Sequence, residues 1–380
     1  MDALTTPSNW QRVRLGDIAE IIGGGTPSTQ ITSFWNGSIN WFTPTEIGIT
    51  KYVYKSQRTI TPLGLKKSSA KLLPIGTILL TSRASIGDCA ILKEIATTNQ
   101  GFQSLIPLEK INNEFLYYLI LTLKNKLLEL ASGSTFLEVS PNKIKNLLIP
   151  LPPLNEQIAI ANILSGLDRY LYSLDALILK KESVKKALSF ELLSQRKRLK
   201  GFNQAWQRVR LGDICEITTG SLDANEMVHY GKYRFYTCAK EYYFIDKYAF
   251  DTEAILISGN GAYVGYVHYY KGKFNAYQRT YVLDNFSEHI MFVKYFLTMF
   301  LQSHIQTNKN EGNTPYIVMA TLKDFEIFLP PLNEQIAIAN ILSALDNEII
   351  SLKNKKHQFE NIKKALNHDL MSAKIRVLKE

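Results

Sequence analysis

Residues 151–165, LPPLNEQIAIANILS, recur without a change at residues 329–343. The paired prolines forbid a helix before them, whereas Asn155 and Glu156 suit the first helical turn, where free backbone N–H groups favour oxygen acceptors and negative charge. After the block, apolar residues recur at three- and four-residue spacing, as at Leu164, Leu167 and Leu171. Sustained over roughly 45 residues, this stripe predicts a helical rod of roughly 65–70 Å and is typical of a coiled coil.

A second repeated block shows that the whole chain is a duplicated cassette. Residues 10–18, WQRVRLGDI, recur unchanged at residues 206–214. This pair is displaced by 196 residues (10 to 206) and the first pair by 178 (151 to 329), so the first copy carries 18 extra residues between its blocks. From about Ile78 onward the two copies are nearly collinear, which places the extra length between Ile22 and Thr77. A shared frame with one divergent window predicts two sites that do the same job on different targets.

The part of each copy before the long helix is expected to be an α+β domain. Its divergent window is rich in Gly, Pro, Thr and aromatic residues in short runs, which favours strands and turns. Residues 77–80 and 253–257 are predicted buried strands, and helices are predicted at 114–130 and 290–305. The predicted division is therefore a first recognition domain at 1–150, a long helix at 151–200, a second recognition domain at 201–329 and a second long helix at 330–380.

The two long helices are expected to pair with each other, because neither could expose its apolar stripe to water. Antiparallel pairing as a coiled coil would relate the two domains by a pseudo-twofold axis and make the helices a spacer between two half-sites on DNA. A coiled coil between two copies of the chain is the alternative. Four lysines interrupt the stripes at seam positions, namely Lys181, Lys185, Lys356 and Lys363.

Composition limits the class of protein. The net charge of +10 and the pI near 9.2 favour an acidic partner, most simply nucleic acid. The three cysteines match no metal or redox spacing and suggest a reducing cytoplasm. No apolar run approaches the roughly 20 residues that span a bilayer, and the first residues do not resemble a signal peptide.

The repeated PLNEQIAIANIL motif, opening a long helix after each of two divergent domains, resembles the specificity subunits of type I restriction–modification systems. The resemblance extends to both WQRVRLGDI openings, to GGTPST, FWNGSINWFTP and TNQGFQSLIP in the first domain, and to GKYRFYTC, SGNG and AYQRTYVL in the second. It covers essentially the whole chain. It implies that two target-recognition domains read the two halves of an asymmetric DNA sequence, and that the helices bind two methyltransferase subunits.

The resemblance also implies where chemistry takes place in the complex. The methyltransferase subunits would use S-adenosylmethionine, and accompanying restriction subunits would use ATP and Mg²⁺. This chain itself is expected to be non-catalytic, with no metal and no cofactor of its own, because it lacks a phosphate-binding loop, a zinc-protease motif and an adenine-methyltransferase motif. Gly259 and Gly261 with Gly265 have the wrong last spacing for a dinucleotide site and are expected to form a tight turn after the strand at 254–258.

Candidate contact residues come from the divergent loops, because Arg, Lys, Asn, Gln and hydroxyl side chains read base edges and phosphates. Gln100 and Gln278 occupy one shared position and are expected to hold the fold or a phosphate. Trp35, Trp41, Tyr242 and Tyr243 are expected in the core rather than in stacking. The DNA-binding candidates are Thr26, Ser28, Asn36, Lys66, Lys67, Arg83, Gln100 and Gln103 in the first domain, and Tyr236, Lys240, Asn260, Tyr263, Gln278 and Arg279 in the second. For subunit docking the motif offers Asn155, Glu156, Gln157, Asn333, Glu334 and Gln335.

Three hypotheses remain open from the sequence. The favoured one is a bipartite DNA-recognition subunit, which predicts strong salt dependence of DNA affinity. The second is a coiled-coil scaffold whose divergent domains bind peptides. The third is a self-contained DNA-modifying enzyme, which would need a cofactor site that the sequence does not show.

Overall fold

The computed structural model describes residue 7 and residues 9–133, 137–308 and 315–377. The chain divides into two compact units, Met1–Asp175 with Lys355–Glu380, and Ala176–Asn354. Each unit therefore combines one recognition domain with a part of both long helices. The predicted four-segment division separates domains from helices along the chain, and its boundaries stay a prediction.

The first unit is built on a five-stranded sheet in the order β2-β9-β6-β7-β4, beside a three-stranded sheet β5-β3-β8 and the pair β1-β10. Its strands are β1 (Gln11–Arg14), β2 (Ala19–Gly23), β3 (Trp35–Phe42), β4 (Tyr52–Val53), β5 (Arg58–Ile60), β6 (Ile78–Leu80), β7 (Cys89–Leu92), β8 (Ala96–Thr98), β9 (Gln103–Pro107) and β10 (Leu148–Leu151). Its own helices are α1 (Pro62–Lys66), α2 (Asn113–Thr122), α3 (Lys124–Leu130) and α4 (Pro141–Lys145).

Strands β6 and β7 of this sheet are apolar throughout, and both of their faces are covered. Ile78 and Leu80 of β6 pack in one cluster with Phe115 of α2, whereas Leu79 between them packs in another with Phe42. The predicted strand at 77–80 is confirmed as β6. The helix predicted at 114–130 is two helices, α2 and α3, which meet at Leu123.

The second unit carries a six-stranded sheet in the order β12-β17-β15-β16-β13-β14 and the pair β11-β18. Its strands are β11 (Gln207–Arg210), β12 (Glu216–Thr219), β13 (Tyr233–Tyr236), β14 (Tyr243–Ile245), β15 (Phe250–Ser258), β16 (Val267–Ala276), β17 (Thr280–Asp284) and β18 (Glu326–Leu329). Helices α6 (Ile290–Asn308) and α7 (Met319–Lys323) complete this domain. The strand predicted at 253–257 lies within β15, and the helix predicted at 290–305 lies within α6. In the described part of both units, single-turn 3-10 helices occur at Leu15–Asp17, Thr32–Phe34, Pro44–Glu46, Leu211–Asp213 and Ala224–Glu226.

In each unit the first repeated block pairs with the strand that leads into the second block. Strand β1 of the first WQRVRLGDI block runs antiparallel to β10, with Gln11 opposite Leu151. Strand β11 pairs with β18 in the same register, with Gln207 opposite Leu329. The blocks that are identical in sequence are thus the frame that ties each domain to its helix.

The window that differs in length folds differently in the two copies. In the first it forms β3, β5 and α1 around a small core that holds Trp35 and Trp41, so their predicted burial is confirmed. In the second it forms the β13–β14 hairpin, where Tyr242 and Tyr243 are 40% and 39% exposed. The prediction that these two tyrosines are core residues is wrong, because β14 is the outermost strand of its sheet.

The long helices α5 (Leu154–Leu193) and α8 (Leu332–Met371) contain 40 residues each, fewer than predicted. Beyond their ends, Gln195 and Ala373 have φ of 61° and 59°. A left-handed residue just past the last turn is a common helix stop, usually made by glycine. These helix ends could not be predicted from the sequence, because neither Gln195 nor Ala373 is glycine or proline.

Ion pairs between α5 and α8 show the direction of pairing within each unit. As residue numbers rise along α5, those of the partners on α8 fall, so the helix segments are antiparallel. All four seam lysines take part, as Lys363–Asp168 and Lys356–Asp175 (2.7 Å) in the first unit and Lys181–Glu348 (2.8 Å) and Lys185–Asp346 in the second. Among the helices of the described residues, none combines the length and apolar character needed to cross a membrane.

Candidate nucleic-acid interface

Loops from three strands of the first domain meet at one end of its sheet. We call residues 24–28, 81–85 and 99–101 the first loop edge. Gly25 N–H donates to Thr98 O (2.8 Å), and Ser82 N–H donates to Gly101 O (2.8 Å). These backbone bonds hold the loops together where β2 and β6 end and β9 begins.

Several DNA-binding candidates of the first domain share this edge. The Thr26 hydroxyl donates to Gln100 Oε1, so Gln100 helps to hold the loops, as expected of a position shared by both copies. Ser28 is exposed, and Arg83 forms a 2.8 Å ion pair with Glu138 while its side chain stays 42% exposed. The edge therefore presents hydroxyl, amide and guanidinium groups to solvent, which are the groups that contact bases and phosphates.

Three further first-domain candidates, Asn36, Lys66 and Lys67, lie in the layer formed by β3, β5 and α1. Lys66 and Lys67 are exposed at the end of α1, and the chain just after them, at Ser69, lies against Gly25 of the edge. Asn36 is exposed on β3 with a left-handed φ of 60°. The described contacts do not join Asn36 to the first loop edge.

The second domain has an equivalent edge, which we call the second loop edge: residues 220–223, 237–240, 259–263 and 277–279. Gly259 N–H donates to Arg279 O (2.8 Å), and Gln278 N–H donates to Leu222 O (2.9 Å). The Gln278 amide also donates to Asp223 Oδ1 (2.8 Å), which matches its expected structural role.

Four exposed or half-buried candidates of the second domain meet at this edge. The Lys240 ammonium lies 5.2 Å from the centre of the Tyr263 ring, and Arg279 is exposed on the loop before β17. Asn260 forms an isolated bridge with Tyr316 and begins the turn in which Gly261 has φ of 80°. The interpretation of Gly259–Gly261 as a tight turn after a strand is confirmed.

A glycine at one position shows that the two edges are the same place in two copies of one fold. A Cβ added to Gly24 would lie 1.9 Å from Asn99 O, and a Cβ added to Gly220 would lie 1.9 Å from Ala276 O. Gly24 and Gly220 are 196 residues apart, as are the two WQRVRLGDI blocks. Only glycine permits this approach of two backbones in either copy.

Two candidates need correction because their side chains are buried. Gln103 is 6% exposed and lies on β9 opposite Gly23, and its Oε1 has no hydrogen-bond partner among the described residues. Tyr236 is 2% exposed and packs edge-on against Phe274 and His268. Neither side chain can reach a base edge from these positions.

Sequence reasoning missed a partly exposed aromatic face beside the second loop edge. Tyr266, directly before β16, and His268 and Tyr270 on β16 alternate along the chain and so share one face of the sheet. The His268 ring contacts the Tyr236 and Tyr266 rings, and its Nε2 lies 2.8 Å from Ala239 O in the edge. Burial holds the pKa of His268 below its ordinary value. The alternation of aromatic residues at 266–270 was the signal available in the sequence.

The repeated motif that was proposed for docking divides into two faces. Glu156, Gln157, Glu334 and Gln335 are each 1–2% exposed. Glu334 accepts hydrogen bonds from Trp206 Nε1 (3.3 Å) and from Arg198 (2.8 Å). Glu156 accepts from Trp10 Nε1 (3.1 Å) and Arg376 (2.8 Å).

The buried glutamines fasten the helix start to the chain before it. Gln157 Nε2 donates to Pro152 O (2.9 Å) and Gln335 Nε2 donates to Pro330 O (2.8 Å). These four side chains are occupied inside the chain, so the assignment of docking contacts to them needs correction. Asn155 and Asn333 are exposed and remain docking candidates.

Apolar residues flank the two asparagines on the exposed face. Leu154 and Ile158 are 46% and 42% exposed, and the equivalent Leu332 and Ile336 are 52% and 39% exposed. Identical apolar side chains held in water in both copies are unusual for a surface with no partner. Among the described residues, no group of three or more His, Cys, Asp or Glu is placed to hold a metal ion.

Comparison with known proteins agrees with this architecture. Residues 7–181 and 203–361 match the family described as "Type I restriction modification DNA specificity domain". The chain is 30% identical to the type I restriction enzyme MjaIX specificity subunit of Methanocaldococcus jannaschii, across 98% of the chain and 94% of that protein. It is 40% identical to the EcoDI specificity subunit of Escherichia coli, over 42% of the chain and 35% of that protein.

Solved structures share the fold at low sequence identity. The type I restriction–modification S subunit from M. genitalium has a TM-score of 0.64 at 18% identity, covering 98% of this chain and 97% of that one. The HsdS subunit from Thermoanaerobacter tengcongensis has a TM-score of 0.54 at 19% identity, covering 97% and 98%. The two matched domains and the close full-length relative show that this chain belongs to the type I restriction–modification specificity subunits, which are non-catalytic.

Proposed function

We propose that the chain reads a bipartite, asymmetric DNA sequence, one half at each loop edge. The observation that carries this proposal is the combination of one frame with two different edges. The glycine approach at Gly24 and Gly220 recurs, whereas the exposed side chains around it differ. Two edges with different donors and acceptors suit two unlike half-sites.

We further propose that α5 and α8 act as an antiparallel coiled coil that spaces the two half-sites, with pseudo-twofold symmetry between the cassettes. The antiparallel ion pairs within each unit support this, because they recur at equivalent positions: Lys185 and Lys363 are 178 residues apart, as are Asp168 and Asp346. An antiparallel pair of helices puts the start of each helix beside the end of the other.

The exposed face of the repeated motif is the proposed docking site for methyltransferase subunits. Leu154, Ile158 and their equivalents Leu332 and Ile336 provide the same apolar contact twice, which suits two copies of one partner. In this proposal S-adenosylmethionine binds those partners, ATP and Mg²⁺ bind restriction subunits that join them, and the complex works in the cytoplasm. The third solved neighbour, which is described as underlying "complex assembly" of the type I system, supports assembly with such partners.

A salt titration tests DNA binding against the scaffold alternative. Binding of the purified chain with its methyltransferase to a random duplex is measured by anisotropy between low and high salt. We expect the logarithm of affinity to fall linearly with the logarithm of salt concentration, with a slope that corresponds to several released counterions. A flat dependence would favour the protein-binding scaffold.

A further inference from the structure

In each unit a buried tyrosine hydroxyl links the recognition domain to the middle part of a long helix. In the first unit, Tyr118 of α2 donates a hydrogen bond to Asp168 Oδ2 of α5. In the second, Tyr295 of α6 donates to Asp346 Oδ2 of α8 (2.7 Å). Each tyrosine lies at the same turn of its helix, because α2 begins at Asn113 and α6 at Ile290.

The same aspartates are bound from the other side by the second long helix. Lys363 of α8 forms an ion pair with Asp168, and Lys185 of α5 forms one with Asp346. Each aspartate therefore joins three elements: the recognition helix, the long helix that follows it, and the antiparallel segment of the other long helix. We call Tyr118–Asp168–Lys363 and Tyr295–Asp346–Lys185 the first and second tyrosine joints.

The joints are duplicated in detail. Ser165 and Ser343, which are also 178 residues apart, lie 3.3 and 3.2 Å from the hydroxyls of Tyr118 and Tyr295. A second lysine lies at each joint, although at positions that are not equivalent: Lys51 Nζ, before β4, donates to Tyr118 Oη (2.9 Å), and Lys294 Nζ, on α6, lies 3.8 Å from Asp346 Oδ2. The joints thus keep their chemistry in two domains whose edges have diverged.

The environment of the joints strengthens their polar contacts. Tyr118 is fully buried and Tyr295 is 4% exposed, and the aspartates keep 26% of their side-chain surface. Hydrogen bonds to a charged group in such a partly buried place are stronger than those at an exposed surface. Burial alone would raise the pKa of Asp346, but hydrogen bonds from Lys185 and Tyr295 outweigh it and hold that pKa below its ordinary value.

Apolar packing around the joints stabilises the contact between domain and helix but does not fix the angle between them. In the first unit, Tyr118 belongs to a core cluster with Phe115, Leu164 and Leu370. Hydrophobic contact is non-directional, so it permits small rotations of a domain on its helices. A hydrogen bond weakens steeply when its angle departs from linearity, so three bonded elements hold one orientation.

We propose that the two tyrosine joints fix the angle at which each recognition domain is held on its helix pair, and thereby set the spacing between half-sites that the chain accepts. The inference rests on the proposed bipartite DNA recognition. One extra base pair between half-sites moves the second half by about 3.4 Å and rotates it by about a tenth of a turn. A chain with rigid joints rejects that change, whereas a chain with looser joints tolerates it.

The test uses the full chain with its methyltransferase partner and a DNA library in which both half-sites are constant and the spacer length varies. Wild-type chain is expected to select one spacer length. In the Tyr118→Phe/Tyr295→Phe double variant, we expect sites one base pair longer or shorter to gain about tenfold relative to the native spacer, while the base preference within each half stays the same. Each single variant is expected to show a smaller gain.

Two controls make the result specific. Tyr172→Phe changes a 77% exposed tyrosine on α5 and is expected to leave the spacer preference unchanged. Asp168→Asn/Asp346→Asn weakens the same joints by a different chemical route and is expected to broaden the preference again. It also replaces the tyrosine variants as the test if those lose their fold.

The two proposals fail in different ways. If wild-type chain selects no split site, the proposed function is wrong. If wild-type chain selects one spacer and both folded double variants keep that preference as sharply, the joints do not position the domains and this inference alone is overturned.

Discussion

At the scale of single residues, Arg279 at the second loop edge is the clearest candidate for a base-reading group. Arg279 is exposed, and its backbone is fixed because its carbonyl accepts a 2.8 Å hydrogen bond from Gly259. Arginine reads guanine through two parallel hydrogen bonds in the major groove. An exposed guanidinium on a loop with a fixed backbone suits the reading of a guanine base.

Replacing Arg279→Ala should relax base preference in one half-site and leave the other unchanged. We expect a loss of about 1–3 kcal/mol, roughly 10- to 100-fold in affinity, for the preferred base at one position. Competition binding with single-base variants of the site measures it. Lys355→Ala, an exposed cation on α8, is the control and should leave both halves unchanged. Uniformly weaker binding with unchanged base preference in both halves would show that Arg279 contacts only phosphate.

His268 makes the second unit sensitive to acid. Because burial lowers its folded pKa below the ordinary 6.5, its contribution to stability is fully present above about pH 6.5 and is lost as pH falls through the folded value. Burial also lowers the pKa of His289.

We expect the midpoint temperature of unfolding to fall between pH 7.5 and pH 5.5 in thermal melts followed by circular dichroism. The fall should be smaller in the His268→Gln variant. His357→Gln changes a 76% exposed side chain and is the control, in which the fall of the unfolding midpoint should equal that of the wild-type chain. An equal fall in the wild-type and His268→Gln chains would show that His268 does not cause the acid sensitivity.

At the scale of elements, the repeated motif has a buried face and an exposed face. Its buried glutamates and glutamines bind other parts of the same unit, and its exposed leucines and isoleucines are the proposed docking contacts. The periodicity predicted the helix but not this division. The partners of Glu156 are Trp10 and Arg376, which lie 146 and 220 residues away in the sequence, so no local pattern could reveal them.

The docking face can be separated from the frame by mutation. Ile158→Glu/Ile336→Glu places charges on the exposed face of both motifs, and we expect loss of the methyltransferase from pull-downs with an unchanged melting temperature. Leu179→Glu changes a 64% exposed leucine elsewhere on α5 and is the matched control. Retention of the partner by the double variant would move the docking site away from this motif.

At the scale of the whole molecule, the duplication was predictable and the edges were only partly so. Identical blocks revealed the frame, the long helices and the place where the copies diverge. The aromatic face at Tyr266, His268 and Tyr270 was missed because a partly exposed strand and a fully buried strand have similar composition. The tyrosine joints were missed because each combines residues from three separate elements.

In the proposed function, one chain reads two unlike half-sites through two equivalent edges. The most direct measurement is selection of sites from a fully random duplex library by the chain with its methyltransferase, followed by sequencing. We predict two different short blocks of selected bases, separated by a fixed number of unselected base pairs. A single continuous block, two identical blocks or no consensus would contradict it.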